Sequence, residues 1–272
     1  MSLKPNNLQT KVPLFVTIPH SGEEIPECAM WLKGLPEVVL MGDVDRFVDR
    51  LYLPVIEEIG LLSVKTRWHR YAADLNRLST DVDEEAVVGS SHKKGTFPRG
   101  FHWVYNTQNE KILNQPLTTL QHEQLVKLVY EPFHHDIHEA YKLYENEGYK
   151  KIYHLDLHSM PSVGTNQHRD PGQLRADIVI SDSHGTSCDK KFLELVVASF
   201  KSENLSIAYN WPYFGGRLTE QYGQPNIGHN VLQIELNRSL YMNELTKQLV
   251  EDKANPLTEK LTKIIKNIYN NL

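Results

Sequence analysis

Short apolar runs alternate along the chain with stretches whose apolar positions recur at three- and four-residue steps, the pattern of strands separated by amphipathic helices. Residues 13–19, "PLFVTIP", read as a buried strand. Residues 45–60, "DRFVDRLYLPVIEEIG", read as a helix with Phe47, Val48, Leu51 and Tyr52 on one face, and "LLSVKTRW" reads as a second strand. Residues 79–100 are polar, glycine-bearing and aperiodic, which predicts a long loop of the kind that often borders a site.

From about residue 116 to 147 the spacing predicts a long helix, with Pro132 as the place for a kink. A strand is expected at 152–158, then a polar loop through "VGTNQHRDPGQLRAD", a strand "IVIS" at 178–181 and a helix over 189–202. "LSIAYN" and "NVLQIELNR" read as strands flanking the glycine-bearing "PYFGGRLTEQYGQPNIG", and the tail from about 243 to 270 reads as helix. Strands separated by helices imply an α/β fold: a mixed, largely parallel central sheet flanked by helices. No internal repeat, low-complexity tract or linker interrupts residues 1–272, so one domain is expected.

Composition narrows the function classes. At 272 residues and 40% hydrophobic, the chain can bury a substantial core. The charge of −5, with no block of like charges, argues against a nucleic-acid or membrane surface and favours a small-molecule or peptide partner. The opening segment lacks the apolar core of a signal peptide, and no run reaches the roughly 18 apolar residues of a membrane span, so a cytoplasmic setting is expected. Two cysteines, Cys28 and Cys188, suit a reducing compartment and make sulfur ligation of a metal a poor expectation.

In open α/β sheets the working residues gather at the carboxyl ends of strands, and four predicted strand ends carry polar side chains that burial alone would disfavour. His20 follows the first strand in "TIPHSG". Asp156 and His158 stand two apart in "LDLHS", so both project from the same strand face. Glu235 interrupts the apolar "QIEL", where an isolated buried carboxylate is costly unless it is paired or metal-bound. Asp182 and His184 occupy "SDSHG", and Asp45 lies at the expected start of the helix after the first strand.

Two imidazoles and a carboxylate with a position left for water make a catalytic zinc site. His20, Asp45 and His158 could supply it from three separate elements, with Asp43 as the alternative carboxylate. Glu235 would then be the free carboxylate acting as general base and later as acid. Asp156 is expected to orient an imidazole, and His134, in "EPFHH" on the long helix, to pack or to support the site from behind. If the substrate carries carboxylates, guanidinium groups are needed, and Arg77, Arg175 and Arg217 are the candidates, with Asn76 beside the scissile carbonyl. Ser159, Ser187 and Cys188 lack the G-x-S-x-G context of a covalent nucleophile.

These motifs carry a resemblance. "VPLFVTIPHSGEEIP", "DVDRFVDRLY", "RYAADLNR", "YEPFHH", "LDLHSMPS", "ADIVISDSHGTSC", "GGRLTEQYG" and "QIELNRSLYMNE" fall in the order and at roughly the intervals of the N-formylglutamate amidohydrolase family. The resemblance implies a zinc exopeptidase-like fold of the phosphorylase/hydrolase-like kind. It also implies hydrolysis of an N-acyl amino acid, in the type case N-formyl-L-glutamate to formate and L-glutamate in histidine degradation. It puts Zn2+ on His20, Asp45 and His158, with Glu235 as the glutamate of "QxEL". Two positions depart from the family pattern: Asn230 stands where a histidine is common, and Arg217 where an aromatic is usual. A related amidohydrolase with a different N-acyl substrate, or a metal-binding protein without catalysis, are the alternatives.

Overall fold

The computed structural model describes residues 12–83, 85–90 and 99–272. Part of the expected loop at 79–100, residues 84 and 91–98, lies outside them; no helix or sheet strand falls in its described part. No helix among the described residues is long and apolar enough to cross a membrane.

The elements run β1 (Leu14–Ile18), α1 (Glu37–Leu40), α2 (Val48–Glu58), β2 (Leu62–Lys65), α3 (Thr119–Leu125), α4 (Glu131–Asn146), β3 (Ile152–Met160), β4 (Ile178–Ser181), α5 (Lys190–Ser202) and β5 (Ile207–Tyr209). They continue with α6 (Arg217–Tyr222), β6 (His229–Asn237), β7 (Met242–Asn243), β8 (Gln248–Leu249) and α7 (Glu251–Asn270). Six strands form one sheet in the order β2-β1-β3-β6-β4-β5, all parallel except the β4–β6 pair. The mixed, largely parallel sheet is the one the sequence pattern predicts.

Both sheet faces are covered, which is why the central strands are apolar without interruption over much of their length. Leu14, Val16, Ile18, Leu155, Leu157, Leu232, Ile234 and Leu236 point to one face and pack with residues of α2, α5 and α7. Phe15, Ile152 and Val231 begin the other face and pack under α4 and α6. On that second face the side chains become polar toward the strands' carboxyl ends: Thr17, Asp156 and Gln233 sit side by side in register, then His158 beside Glu235. The period-two alternation of the strands therefore separates a dry face from a face that carries the chemistry.

Several expectations are corrected. The helix expected from residue 45 begins at Val48, because Phe47 adopts a left-handed backbone (φ 69°) that no helix continues. The long helix is not kinked at Pro132 itself: residues Val126–Tyr130 form a π-turn between α3 and α4. Proline cannot donate to the carbonyl four residues back, and the wider turn absorbs the misfit just upstream. The strand expected to end at 158 runs to Met160, the "GGRLTEQY" stretch contains α6, and the tail opens with the β7–β8 hairpin before α7.

Candidate functional site

β1 and β3 are paired in register, so the segment leaving β1 emerges beside the end of β3. His20 follows β1, and its backbone carbonyl accepts from the Asp45 amide at 2.9 Å. This bond, together with the left-handed turn at Phe47, brings the Asp45 side chain over the strand ends. His20, Asp45 and His158 are all buried, and their candidate ligand atoms lie within 4.8 Å of one another.

Each imidazole is oriented from behind by a carboxylate. Asp74 accepts from His20 Nε2 at 2.7 Å, and Asp156 accepts from His158 Nε2 at 2.8 Å. Carboxylates accept but do not donate, so each ring carries a proton on Nε2, and the Nδ1 atoms offer lone pairs once any proton of their own is given up, as metal ligation requires. Those Nδ1 atoms face Asp45 Oδ2, at 3.5 Å from His20 and 3.0 Å from His158. The other oxygen, Asp45 Oδ1, is held by Arg238 Nη2 at 3.1 Å and by Ser159 Oγ at 3.3 Å.

This donor set fits a metal ion. Ligand atoms about 2.0–2.2 Å from one tetrahedral zinc stand roughly 3.3–3.6 Å apart, close to the two separations from Asp45 Oδ2. Among the described residues His20 Nδ1 is buried with no hydrogen-bond partner, an arrangement that costs free energy unless another group meets it. The paired carboxylate–imidazole contacts are the usual backing of metal-bound histidines. Electrostatics point the same way: burial opposes ionisation of Asp45, yet His158 at hydrogen-bond distance, with His20 beside it, holds its carboxyl well below the usual range.

Glu235 is the register partner of His158 and lines the same cleft. Burial, opposed by the pull of His158 and aided by the neighbouring Asp45 charge, pushes its carboxyl up to about 7. A carboxyl with that value is poised to take and return a proton near neutral pH. Gln233 Nε2 donates to Glu235 Oε1 at 3.0 Å and orients it.

Of the expected substrate contacts, Arg77 and Asn76 line the cleft, whereas Arg175 and Arg217 do not. Arg175 is locked by Asp170 at 2.8 Å through both Nε and Nη2, which ties the 161–177 loop together. Arg217 pairs with Asp81 and Glu220, each at 2.8 Å. Asn76 is held by Leu218 N and Gln233, and Gly216 must remain side-chain-free because an added Cβ would lie 2.2 Å from the Asn76 amide. His134 binds the Tyr222 hydroxyl at 2.7 Å and packs beneath α6 without touching the three ligand candidates.

The carboxylate of Asp43 is taken up by Tyr71 and Thr107, which leaves Asp45 to face the imidazoles. Neither Asn230 nor His229 lines the cleft: Asn230 accepts from the Asp189 amide, and His229 contacts Glu145. Asp182 is committed to Tyr209 and Asn210. Cys188 is a buried thiol pushed up to about 12 by desolvation, so it is inert as a nucleophile.

Four site residues escaped the sequence reading. Asp74 and Arg238 have no unusual setting in the one-dimensional pattern, although "RYAADLNR" and "QIELNR" contain them. Arg99 and Arg169 line the cleft mouth, Arg169 over the rings of Trp211 (5.5 Å) and Phe214 (5.1 Å). Among the described residues Arg99 donates to the carbonyls of Tyr105 and Asn106, and burial lowers its pKa, so its charge gains from an anion in the cleft.

Residues 12–242 match the sequence profile of the N-formylglutamate amidohydrolase family. The chain is 29% identical over 240 residues to the N-formylglutamate deformylase of Pseudomonas aeruginosa, covering 86% of this chain and 84% of that one. It is 27% identical to the N-formylglutamate deformylase of Pseudomonas putida, over 87% and 84% of the two chains. The crystal structure of N-formylglutamate amidohydrolase from Ralstonia eutropha JMP134 superposes with a TM-score of 0.85 at 29% identity, over 96% of this chain and 93% of that one. The fold is shared with gene product Atu2144 from Agrobacterium tumefaciens, at a TM-score of 0.65 and 21% identity, over 95% and 92% of the chains.

Proposed function

The chain belongs to the N-formylglutamate amidohydrolase family, and from that premise we propose that it is a zinc-dependent hydrolase converting N-formyl-L-glutamate to formate and L-glutamate. The observation that carries the proposal is Glu235, a protonatable carboxyl that forms no salt bridge among the described residues, beside the His20–Asp45–His158 set. A structural or sensing metal site has no need of such a group.

His20, Asp45 and His158 would hold the ion, which when bound supplies Lewis acidity to the scissile carbonyl and the attacking water. Glu235 accepts a proton from that water at its carboxylate and delivers it to the nitrogen of the departing amino acid. The amide C–N bond breaks, formate keeps the carbonyl carbon, and glutamate leaves as the amine. Arg99 and Arg169, with Arg77 deeper in the cleft, carry the positive charge that a dicarboxylic amino acid requires. The place of the reaction in histidine degradation and the cytoplasmic setting are part of the same proposal.

The test is direct: the purified protein is incubated with N-formyl-L-glutamate before and after chelation, and formate is measured. Release that disappears with chelator and returns with zinc supports the reading. A panel of N-acetyl and N-succinyl amino acids run in parallel identifies a relative with another acyl group. No cleavage of any member by zinc-loaded protein leaves the non-catalytic alternative.

A further inference from the structure

Behind the candidate metal site a row of buried polar groups runs through the sheet face toward α4. His158 Nε2 meets Asp156 Oδ2 at 2.8 Å, and Asp156 Oδ1 accepts from Thr17 Oγ1 at 2.6 Å. Thr17 Oγ1 in turn lies 2.8 Å from His154 Nε2, and His154 Nδ1 lies 3.2 Å from the Tyr141 hydroxyl. Thr17, His154 and Asp156 are completely buried, and Tyr141 is 4% exposed.

The direction of every link follows from donor counting. Burial pushes His154 down to about 4, so at neutral pH its ring carries one proton. Among the described residues the Tyr141 hydroxyl has His154 Nδ1 as its hydrogen-bond partner, and a buried phenol that donates nothing is left unsatisfied. Tyr141 therefore donates to Nδ1, and the His154 proton sits on Nε2. Thr17 Oγ1 accepts that proton and is free to give its own only to Asp156. Asp156 then receives two hydrogen bonds, one on each oxygen, which favours its anionic form and keeps the His158 proton on Nε2.

An apolar core would fill this space more cheaply, since Phe15, Tyr144 and Ile152 pack around it and each buried polar group must be desolvated. The row ends on an imidazole whose opposite nitrogen faces Asp45. We infer that Tyr141 and His154 are positioning residues: through Thr17 and Asp156 they fix the tautomer and ring orientation of His158, and so set the affinity of the site for a divalent cation. The inference rests on the metal-site reading above.

The experiment measures zinc affinity by competition with a chromophoric chelator for the full-length protein and four variants. Thr17→Val should weaken zinc by about ten- to a hundredfold, as changes to partners of metal-bound histidines typically do. Tyr141→Phe, which keeps the ring and its packing, should weaken it by roughly three- to tenfold. In the Thr17→Val background Tyr141→Phe should have no further effect, because the relay is already cut; a merely structural role would add its cost again. Tyr144→Phe, which removes an equally buried hydroxyl that donates to the Leu14 carbonyl outside the row, should leave zinc affinity unchanged.

Wild-type protein that binds zinc while Thr17→Val and Tyr141→Phe bind it equally well overturns the inference alone. So do effects of the two substitutions that simply add in the double variant, or a loss of affinity in Tyr144→Phe as large as in Tyr141→Phe. Should Thr17→Val fail to fold, Tyr141→Phe against Tyr144→Phe decides the matter by itself. Wild-type protein that binds no divalent cation overturns the metal-site reading, and the inference with it.

Discussion

His20 and Asp74 lie 2.7 Å apart, Nε2 to Oδ1, and the imidazole's other nitrogen is buried without a hydrogen-bond partner among the described residues. Asp74 also accepts from Arg70 Nη2 and Trp103 Nε1, each at 3.0 Å, so it is pinned by three side chains. Burial opposes its charge, but His20 and Arg70 hold its carboxyl well below the usual range. Asp74→Asn should therefore let His20 change tautomer and lower zinc affinity by about ten- to a hundredfold, read by chelator competition. Affinity equal to wild type would show that His20 needs no such anchor.

Glu235→Gln removes the proton acceptor but keeps the hydrogen-bonding shape beside Gln233. On the proposed mechanism kcat should fall by roughly 10²–10⁴-fold with zinc content unchanged. Steady-state kinetics with elemental analysis checks both halves. A Glu235→Gln protein with wild-type kcat would remove Glu235 from the reaction.

Arg169→Met tests recognition of the substrate's carboxylates at the cleft mouth. Loss of a charge-assisted hydrogen bond worth about 1.5–3 kcal/mol should raise KM for N-formyl-L-glutamate by roughly 10–150-fold, with a smaller effect on kcat. Discrimination against N-formyl-L-glutamine should shrink in the same variant. Arg217→Met, whose guanidinium is paired with Asp81 and Glu220, should instead lower thermal stability and leave KM unchanged. The opposite pairing of effects would restore Arg217 to the substrate.

Stability should fall on the acid side of neutrality. Burial pushes His102 down to about 3 and His154 down to about 4, whereas both titrate near 6.5 in an unfolded chain. Between those values the unfolded state binds protons that the folded state refuses, so stability rises with pH through this window and is fully present above about 6.5. From pH 7 to pH 4 each of the two histidines should account for a loss on the order of 3 kcal/mol. Urea midpoints measured across that range check the slope; His102→Gln should flatten it by about one proton, and an unaltered slope would mean that His102 is protonated in the folded protein.

Much of this protein was legible in one dimension. The alternation in "LFVTI", "IYHLDLHSM" and "HNVLQIELN" determines which side chains share a face, so Asp156 with His158, and Glu235 with Gln233, follow from the strand period of two. A carboxylate inside an apolar strand and a histidine just beyond one are costly placements, and that cost marked Glu235, His158 and His20 before any fold was known.

The rest was decided by which elements become neighbours. Periodicity does not report that β3 lies between β1 and β6, and only that order puts His158 beside Glu235 and Thr17 beside Asp156. Asp74, Arg238, His154 and Tyr141 look ordinary in the sequence, since their roles arise from partners between 13 and 193 residues away. Arginines were the least legible of all. A guanidinium on a long flexible stem reaches whatever anion the folded loops bring to it, which spent Arg175 on Asp170 and Arg217 on Asp81, and left Arg99 and Arg169 for the cleft.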